Sequence, residues 1–597
     1  MVPRQFKRLF GFLIFLSIIA LLVSCSGGSG GVYPAPVLSS NANLASLPLS
    51  NGVLNPSFDS SIVEYAAMFI GQTSITLTPT SEDEGATIKV NGINVTSGQS
   101  TVITLSSGSN TITVVVTAAD GTTTKTYTVI ANRLFQDAYV KASNTGSSDN
   151  FGYSVSISGD TLAVGAPGES SNATGINGDQ INNNASSSGA VYIFTRNGST
   201  WSQQAYIKAS NPGPGDGFGC SVSLSGNTLA VGAPGEASNA TGINGDQTNN
   251  DASTSGAVYV FTRSGSTWTQ QAYIKASNTI AFAEFGYSVS LYGDTLAVSA
   301  IYERSNATGV NGDQFNTLAP GSGAVYIFTR SGTTWIQQAY VKASNTESAD
   351  NFGCSVSLYS ETLAVGAYQE SSDAMGINGD QINNDAPSSG AVYVFTRSGT
   401  TWTQQSYIKA SNTGNADRFG YSLSLYGDTL AVGAHGESSN AMGINGEQTN
   451  NDKGYSGAVY VYTRTGTTWT QEAYVKASYT ETGDRFGFQV SLSDNILAVG
   501  TTQEDSNATG INGDQTNNLA EYSGAAYVYT RTGTTWTQQA YIKASNAETF
   551  EWFGSSISVS GDTLVIGAQW ESSNATGING DQANNLTPQS GAIYIFR

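Results

Sequence analysis

From residue 151 onward, apolar and polar side chains return in the same order every 67 residues. Phe151-Gly-Tyr-Ser-Val-Ser-Ile-Ser alternates with period two, the pattern of a strand with one face in a core. Thr161-Leu-Ala-Val-Gly-Ala is short and almost wholly apolar, which fits a strand covered on both faces. Gly189-Ala-Val-Tyr-Ile-Phe-Thr-Arg and Trp201-Ser-Gln-Gln-Ala-Tyr-Ile-Lys-Ala-Ser supply two more strands, rich in β-branched and aromatic residues. Ser158-Gly-Asp160 and Asn197-Gly-Ser carry the chemistry of tight hairpin turns. The Phe-Gly pair stands at Phe151, Phe218, Phe285, Phe352, Phe419, Phe486 and Phe553, so the unit occurs seven times. Four short antiparallel strands in each of seven units predict an all-β fold, a seven-bladed β-propeller.

The ends of the array predict how it closes. The seventh unit stops at Arg597, after its third strand, and the matching fourth strand, Ala-Tyr-Val-Lys-Ala-Ser, stands at Ala138–Ser143 ahead of the first unit. The N-terminal strand is therefore expected to complete the last blade and latch the ring, leaving no free sheet edge; an open solenoid would need no such exchange. Leu134 occupies the place that Trp201, Trp268, Trp335, Trp402, Trp469 and Trp536 hold in the other copies. Upstream, Ser74-Ile-Thr-Leu-Thr, Thr87-Ile-Lys-Val, Thr101-Val-Ile-Thr-Leu, Asn110-Thr-Ile-Thr-Val-Val-Val and Thr122-Thr-Thr-Lys-Thr-Tyr-Thr-Val alternate between turn residues. Residues 41–133 thus read as a small β-sandwich and 134–597 as the propeller.

The first residues read as an address. Arg4, Lys7 and Arg8 precede an apolar run from Leu9 to Val23, a signal-peptide length too short to span a bilayer. It ends in Leu22-Val23-Ser24-Cys25, which resembles a bacterial lipobox. The resemblance implies a leader over 1–24, cleavage before Cys25, and a lipid anchor on the Cys25 thiol that holds the chain to a membrane. Ser26-Gly-Gly-Ser-Gly-Gly opens a flexible linker over 25–40. Ser26 after the lipidated residue gives no inner-membrane retention signal, so an exported chain at the outer membrane or cell surface is expected. A formal charge of −20 excludes a nucleic-acid partner of the ordinary electrostatic kind. Three cysteines offer no disulfide framework: Cys25 belongs to the anchor, and Cys220 and Cys354 sit at one repeat position two blades apart.

Two family resemblances follow from these residues. Phe151-Gly152, then Gly165-Ala166-Pro167, then Gly-Ala-Val-Tyr, resembles the bacterial FG-GAP repeat, which is similar to the integrin α-subunit propeller. Leu54-Asn-Pro-Ser-Phe58-Asp, Gly85-Ala-Thr-Ile-Lys-Val-Asn-Gly92 and Asn110-Thr-Ile-Thr-Val-Val-Val resemble the bacterial cadherin-like β-sandwich. Together they imply a spacer carrying an adhesion or protein-interaction module. Integrin propellers hold calcium in their 1–2 loops, and here those loops are shortened to Ser-Gly-Asp, so that property does not carry over.

Strand parity puts the 2–3 loops and 4–1 linkers on one rim and the tight turns on the other. Long loops on a rigid frame are where binding concentrates. Two sets of residues in the loop-rich rim are candidates. The first is repeated: Glu169, Glu236, Glu303, Glu370, Glu437, Glu504 and Glu571, with Asp179, Asp246, Asp313, Asp380, Glu447, Asp514 and Asp581 in the Asn-Gly-Asp step of the same loops. Calcium takes six to eight oxygens and these could supply them; the alternative is a repeated structural job, the Glu holding backbone donors and Asn-Gly-Asp making a turn. The second set is not repeated: Tyr302, Tyr368, His435, Trp552 and Trp570 stand where sister blades carry other residues. Aromatics beside carboxylates can stack on a sugar or anchor a protein, so the expected ligand is an extracellular protein or a glycan. A propeller hydrolase or lyase would need an acid and a base in different surroundings, whereas these carboxylates repeat sevenfold, and His435 is the single histidine. No nucleophile elbow or phosphate loop is present, and the reading is of a binding protein rather than an enzyme.

Overall fold

The computed structural model describes residues 37–50, 53–54, 56–70, 72–106 and 108–597. The predicted leader, Cys25 and nearly all of the linker lie outside the described residues. In the first blade Ser154–Ser158, Thr161–Ala166, Ala190–Asn197 and Thr200–Ile207 pair antiparallel in sequence order. Five further four-stranded sheets repeat that order. The seventh combines Phe553–Ser560, Thr563–Ala568 and Ala592–Phe596 with Gln136–Val140, which pairs Tyr139 to Tyr594 and Val140 to Ile593. The latch is therefore real, and it begins two residues earlier than the expected 138–143 and ends three earlier.

Burial explains the two kinds of strand seen in the pattern. Thr161–Ala166 is buried at every position because it lies within its blade and is covered by both neighbours, while only one side of Ser154–Ser158 is shielded. The core is a set of inter-blade layers. Phe218, Leu229, Val231 and Tyr259 of the second blade pack on Ala163, Val191, Ile193 and Ile207 of the first, and the same packing joins Val565, Ile593 and Ile595 to Phe151, Leu162 and Val164 across the seam. Each such buried side chain contributes about 1.5–3 kcal/mol. The phenylalanine of Phe-Gly meets the third-strand tyrosine edge-on, with Phe218 and Tyr259 centroids 5.3 Å apart. The glycine after it is sterically required: Gly219 sits at φ 96, and a Cβ on Gly165 would lie 2.0 Å from the Gly219 carbonyl oxygen. Backbones of adjacent blades meet there, which is why the pattern needs glycine on both sides.

Two polar circuits run round the ring, and the inner one is closed. On the inner strands the amide N–H of Leu224 donates to Ser156 Oγ at 2.9 Å, Leu291 to Ser223, Leu358 to Ser290, Leu425 to Ser357, Leu492 to Ser424 and Val559 to Ser491; Ile157 donates to Ser558 across the seam at 3.1 Å. On the outer strands each tryptophan Nε1–H donates to a bulged residue of the preceding blade, such as Trp335 to Gln271 at 2.8 Å and Trp201 to Asp137 of the latch at 3.2 Å. An arginine lies over each of those indoles, Arg330 over Trp335 at 5.2 Å. Leu134 is buried but carries no indole, so the clasp is missing where the latch meets the sixth blade.

The sandwich packs a five-stranded sheet against two short strand pairs. Its sheet runs Glu64–Ile70, Thr124–Leu134, Gly108–Thr117, Thr87–Val90 and Ile93–Val95, with the first two parallel. Leu44, Tyr65, Ile75, Val114, Tyr127 and Val129 form its core. Glu64–Ile70 was not among the strands expected from the pattern, because Glu64-Tyr-Ala-Ala-Met-Phe-Ile breaks the alternation.

Candidate functional site

The repeated glutamates lie at the end of the second strand, where the chain turns into the long loop. Glu169 is 1% exposed, and the Lys208 ammonium, wholly buried at the end of the fourth strand, donates to Glu169 Oε2 at 2.8 Å and to Ser188 Oγ at 2.7 Å. Asn144 of the preceding linker donates to Glu169 Oε1 at 3.0 Å, and the Ser171 amide donates to the same oxygen. Every blade has the pair: Glu236 with Lys275, Glu303 with Lys342, Glu370 with Lys409, Glu437 with Lys476, Glu504 with Lys543, and Glu571 with Lys141 of the latch. Burial pulls each lysine down from its ordinary value, and the carboxylate beside it pulls it back. The sixth blade departs from the set, since Tyr479 stands where the others have asparagine, and there burial raises Glu504.

The Asn-Gly-Asp step serves the loop itself. Asn177 and its six counterparts adopt positive φ, near 55°, a conformation asparagine tolerates. The Asn177 side chain accepts the Tyr206 amide, and its own amide donates to the Tyr206 carbonyl at 2.7 Å, so the loop zips onto the fourth strand. Exposed Asp179 accepts the Ile181 amide at 2.9 Å, Asp246 accepts Thr248, Asp313 accepts Phe315, Asp380 accepts Ile382, Asp514 accepts Thr516 and Asp581 accepts Ala583. Glu447 makes the same turn with Thr449. The two carboxylates of the expected calcium set stand in different surroundings. The glutamate is buried and paired with an ammonium, as Glu169 is with Lys208, while the aspartate is exposed and closes a two-residue turn, as Asp179 does with Ile181. Among the described residues no cluster of three or more His, Cys, Asp or Glu side chains is placed to hold a metal.

A second ring of carboxyls escaped the sequence reading. Asp149, Asp216, Asp350, Asp417 and Asp484, in the 4–1 linkers, are buried and accept a linker amide, as Gly146 donates to Asp149 at 2.7 Å. Burial pushes each up to about 7. Glu551 takes this place in the last blade and is raised further, and Ala283 takes it in the third.

The residues that differ between blades converge at the axial mouth of the loop-rich rim. Tyr368 lies 5.7 Å from Tyr421, Tyr421 lies 4.2 Å from His435 and 5.2 Å from Phe488, and Phe488 lies 6.5 Å from Trp552. Trp552 and Trp570 stack at 4.0 Å with 27° between planes. Tyr302 is 40% exposed at the edge of this group. Four of the five sequence candidates are thus joined into one aromatic wall, through Tyr421 and Phe488, which the sequence reading missed. The signal was available: the position after Phe-Gly reads Tyr153, Cys220, Tyr287, Cys354, Tyr421, Phe488 and Ser555 in an otherwise constant unit. The position before it supplies Asn150, Glu284, Asn351, Arg418 and Arg485 to the same mouth. Arg418 Nη1 lies 3.2 Å from His435 Nε2. A guanidinium can only donate, so Nε2 accepts and the proton sits on Nδ1. Burial, with Arg418 and Arg485 adding to it, lowers His435 to about 3, and the ring is neutral. Burial pushes the Cys220 thiol up to about 12 and Cys354 to about 11, so both free cysteines are protonated and poorly reactive. The opposite rim has only tight turns, yet Tyr292, Tyr359 and Tyr426 form a ladder there at 4.8 and 5.0 Å.

A closed wheel with a repeated, self-satisfied interior and an unrepeated mouth belongs to the class of recognition scaffolds. The chain is a member of the FG-GAP repeat family, whose model matches residues 135–194, 201–261, 268–328, 335–395, 402–462, 469–529 and 536–596. Residues 41–134 match the cadherin-like β-sandwich domain. FG-GAP repeats on a propeller support a protein-interaction module. A putative membrane protein of Evansella cellulosilytica is 39% identical over 105 residues, which is 17% of this chain and 16% of that protein. Among solved structures, a quinonprotein alcohol dehydrogenase-like protein from Bacteroides thetaiotaomicron is 9% identical at TM-score 0.32, covering 80% of this chain and 95% of its own. A protein of unknown function from the same organism is 9% identical at TM-score 0.33, covering 93% and 98%.

Proposed function

We propose that the chain is a cell-surface adhesion module, lipid-anchored at Cys25, in which the sandwich is a spacer and the propeller presents its loop-rich mouth to an extracellular ligand. One observation carries this reading: the glutamates that repeat in every blade are spent inside the fold and the repeated loop aspartates on their own turns, while side chains that do not repeat gather at a single half-exposed place. A scaffold kept sevenfold for stability has no need to vary there. Asymmetry of that kind suits recognition of one ligand. The same geometry argues against an enzyme, because the one histidine is neutral, 1% exposed and committed to Arg418, and the repeated glutamates are held by lysines.

The test uses cells producing the full chain. Palmitate labelling that disappears in Cys25→Ser, together with release of the propeller by protease added to intact cells, supports anchoring and surface display. Protection from protease on intact cells would place the mouth where no neighbouring cell reaches it, and adhesion would fall. Adhesion lost on replacing Trp552 and Trp570 by alanine in a folded chain supports the mouth; adhesion unaltered would move the site elsewhere.

A further inference from the structure

The mouth holds donors without acceptors. Arg418 and Arg485 are half-buried, and neither pairs with a carboxylate among the described residues, in a chain of net charge −20. Arg418 meets only the His435 nitrogen through its side chain, and the Arg485 guanidinium has no hydrogen-bonded partner among the described residues. Three more polar atoms of the same cluster are buried and unpartnered: His435 Nδ1, Thr502 Oγ1 and Trp552 Nε1. His435 is 1% exposed and Thr502 wholly buried. Two of these are N–H groups that can only donate, given the tautomer fixed by Arg418. Four further unpartnered atoms among the described residues, Arg133 Nε, Tyr340 Oη, Gln404 Oε1 and Arg597 Nε, are scattered over the fold, whereas these three belong to one cluster; a buried donor left unmade costs about 1–3 kcal/mol. In the third blade the same position before Phe-Gly holds Glu284, and burial raises its carboxyl. The mouth is thus cationic and donor-rich over blades five to seven and carries a carboxyl on blade three.

We propose that this mouth binds an acidic glycan, its carboxylate received by Arg418 and Arg485 and its sugar ring lying against the Trp552–Trp570 pair. The assignment rests on the mouth being the ligand site, as above. Guanidinium forks match carboxylates in geometry as well as charge. Flat aromatic faces accept the C–H face of a pyranose, and the Trp552–Trp570 stack offers such a face half-exposed. A protein partner would spread its contacts over about 800 Å² of each surface. Here the two half-buried guanidiniums stand on neighbouring blades with the indole pair on the next, a footprint suited to one or two sugar rings.

Calorimetry on the full chain in detergent, at fixed ionic strength, tests this with oligogalacturonate, oligoalginate and hyaluronan fragments, the methyl ester of oligogalacturonate, and polyglutamate. The expected result is binding of at least one uronate oligomer, no binding of the ester, and a loss of about tenfold or more in R418Q and R485Q. R304Q, an arginine on the same rim outside the mouth, should bind as the parent does. Trp570→Ala should weaken binding without restoring the ester. Equal binding of acid and ester, parent-like binding by R418Q and R485Q in chains that melt normally, capture of polyglutamate alone, or binding of none of the uronates overturns the proposal. Uronate binding lost in R418Q while cell adhesion is untouched would keep the ligand class and remove the adhesive role. Adhesion lost in R418Q with no uronate bound would keep the mouth and remove the glycan.

Discussion

Replacing Glu236 by glutamine separates the two readings of the repeated carboxylates. The Lys275 ammonium is wholly buried, with Glu236 Oε2 at 2.7 Å and Ser255 Oγ at 2.7 Å. Removing one partner of a buried ion pair leaves an uncompensated charge and costs about 3–5 kcal/mol. A propeller of this size melts with an entropy of about 1 kcal/mol/K, from about 2.1 cal/mol/K per residue, so Glu236→Gln should lower Tm by about 3–5 °C. Asp246 is exposed and closes a turn with Thr248, so Asp246→Asn should shift Tm by no more than about 1 °C. Glu236→Leu with Lys275→Met should recover most of the loss, because apolar residues of similar volume replace the pair. The measurement is a thermal melt followed by circular dichroism, in excess EGTA and in millimolar calcium. Equal destabilisation by Glu236→Gln and Asp246→Asn, both vanishing in EGTA, would refute the structural assignment and restore a shared cation site.

Further outcomes follow from the same geometry. Burial raises Asp149, Asp216, Asp350, Asp417 and Asp484 to about 7, so between about pH 4 and 7 the folded chain holds protons that the unfolded chain has released. Stability should therefore fall as pH rises through that window and level off above it; denaturant midpoints at pH 5 and pH 8 should differ, and Asp216→Asn with Asp417→Asn should flatten the difference. Val140 is buried in the latch opposite Ile593, and Val140→Asp should open the seam, seen as faster amide exchange confined first to residues 592–596 and 563–568. Trp335→Phe removes the bond to Gln271 and part of an indole packed under Arg330, and should cost about 1–2 kcal/mol by denaturant melt. The same change at any other clasped tryptophan should cost a similar amount, since the circuit repeats.

Much of the architecture was legible because a repeat exposes its own rules. Six identical spacings between seven copies, the period-two alternation of Phe151–Ser158 and the displaced fourth strand were enough to count blades and to find the latch, since only a ring uses that exchange. The pattern also set the identity of the mouth candidates, because variation inside an otherwise constant unit stands out. What it could not show was partnership. Glu169 and Lys208 are 39 residues apart, and nothing in either strand's alternation says that both side chains turn inward and meet. The calcium expectation came from counting oxygens along one loop, and the ammonium beside the glutamate arrives from another strand. In the same way Tyr421, Phe488 and Arg485 belong to different blades, and only closure of the ring brings them beside His435 and Trp552. The sequence alone determined the repeat, the strand count, the closure and the places where the blades differ. The tertiary structure alone decided which charges are neutralised inside and which donors are left facing the mouth, because charge pairing depends on distance in space and not on spacing along the chain.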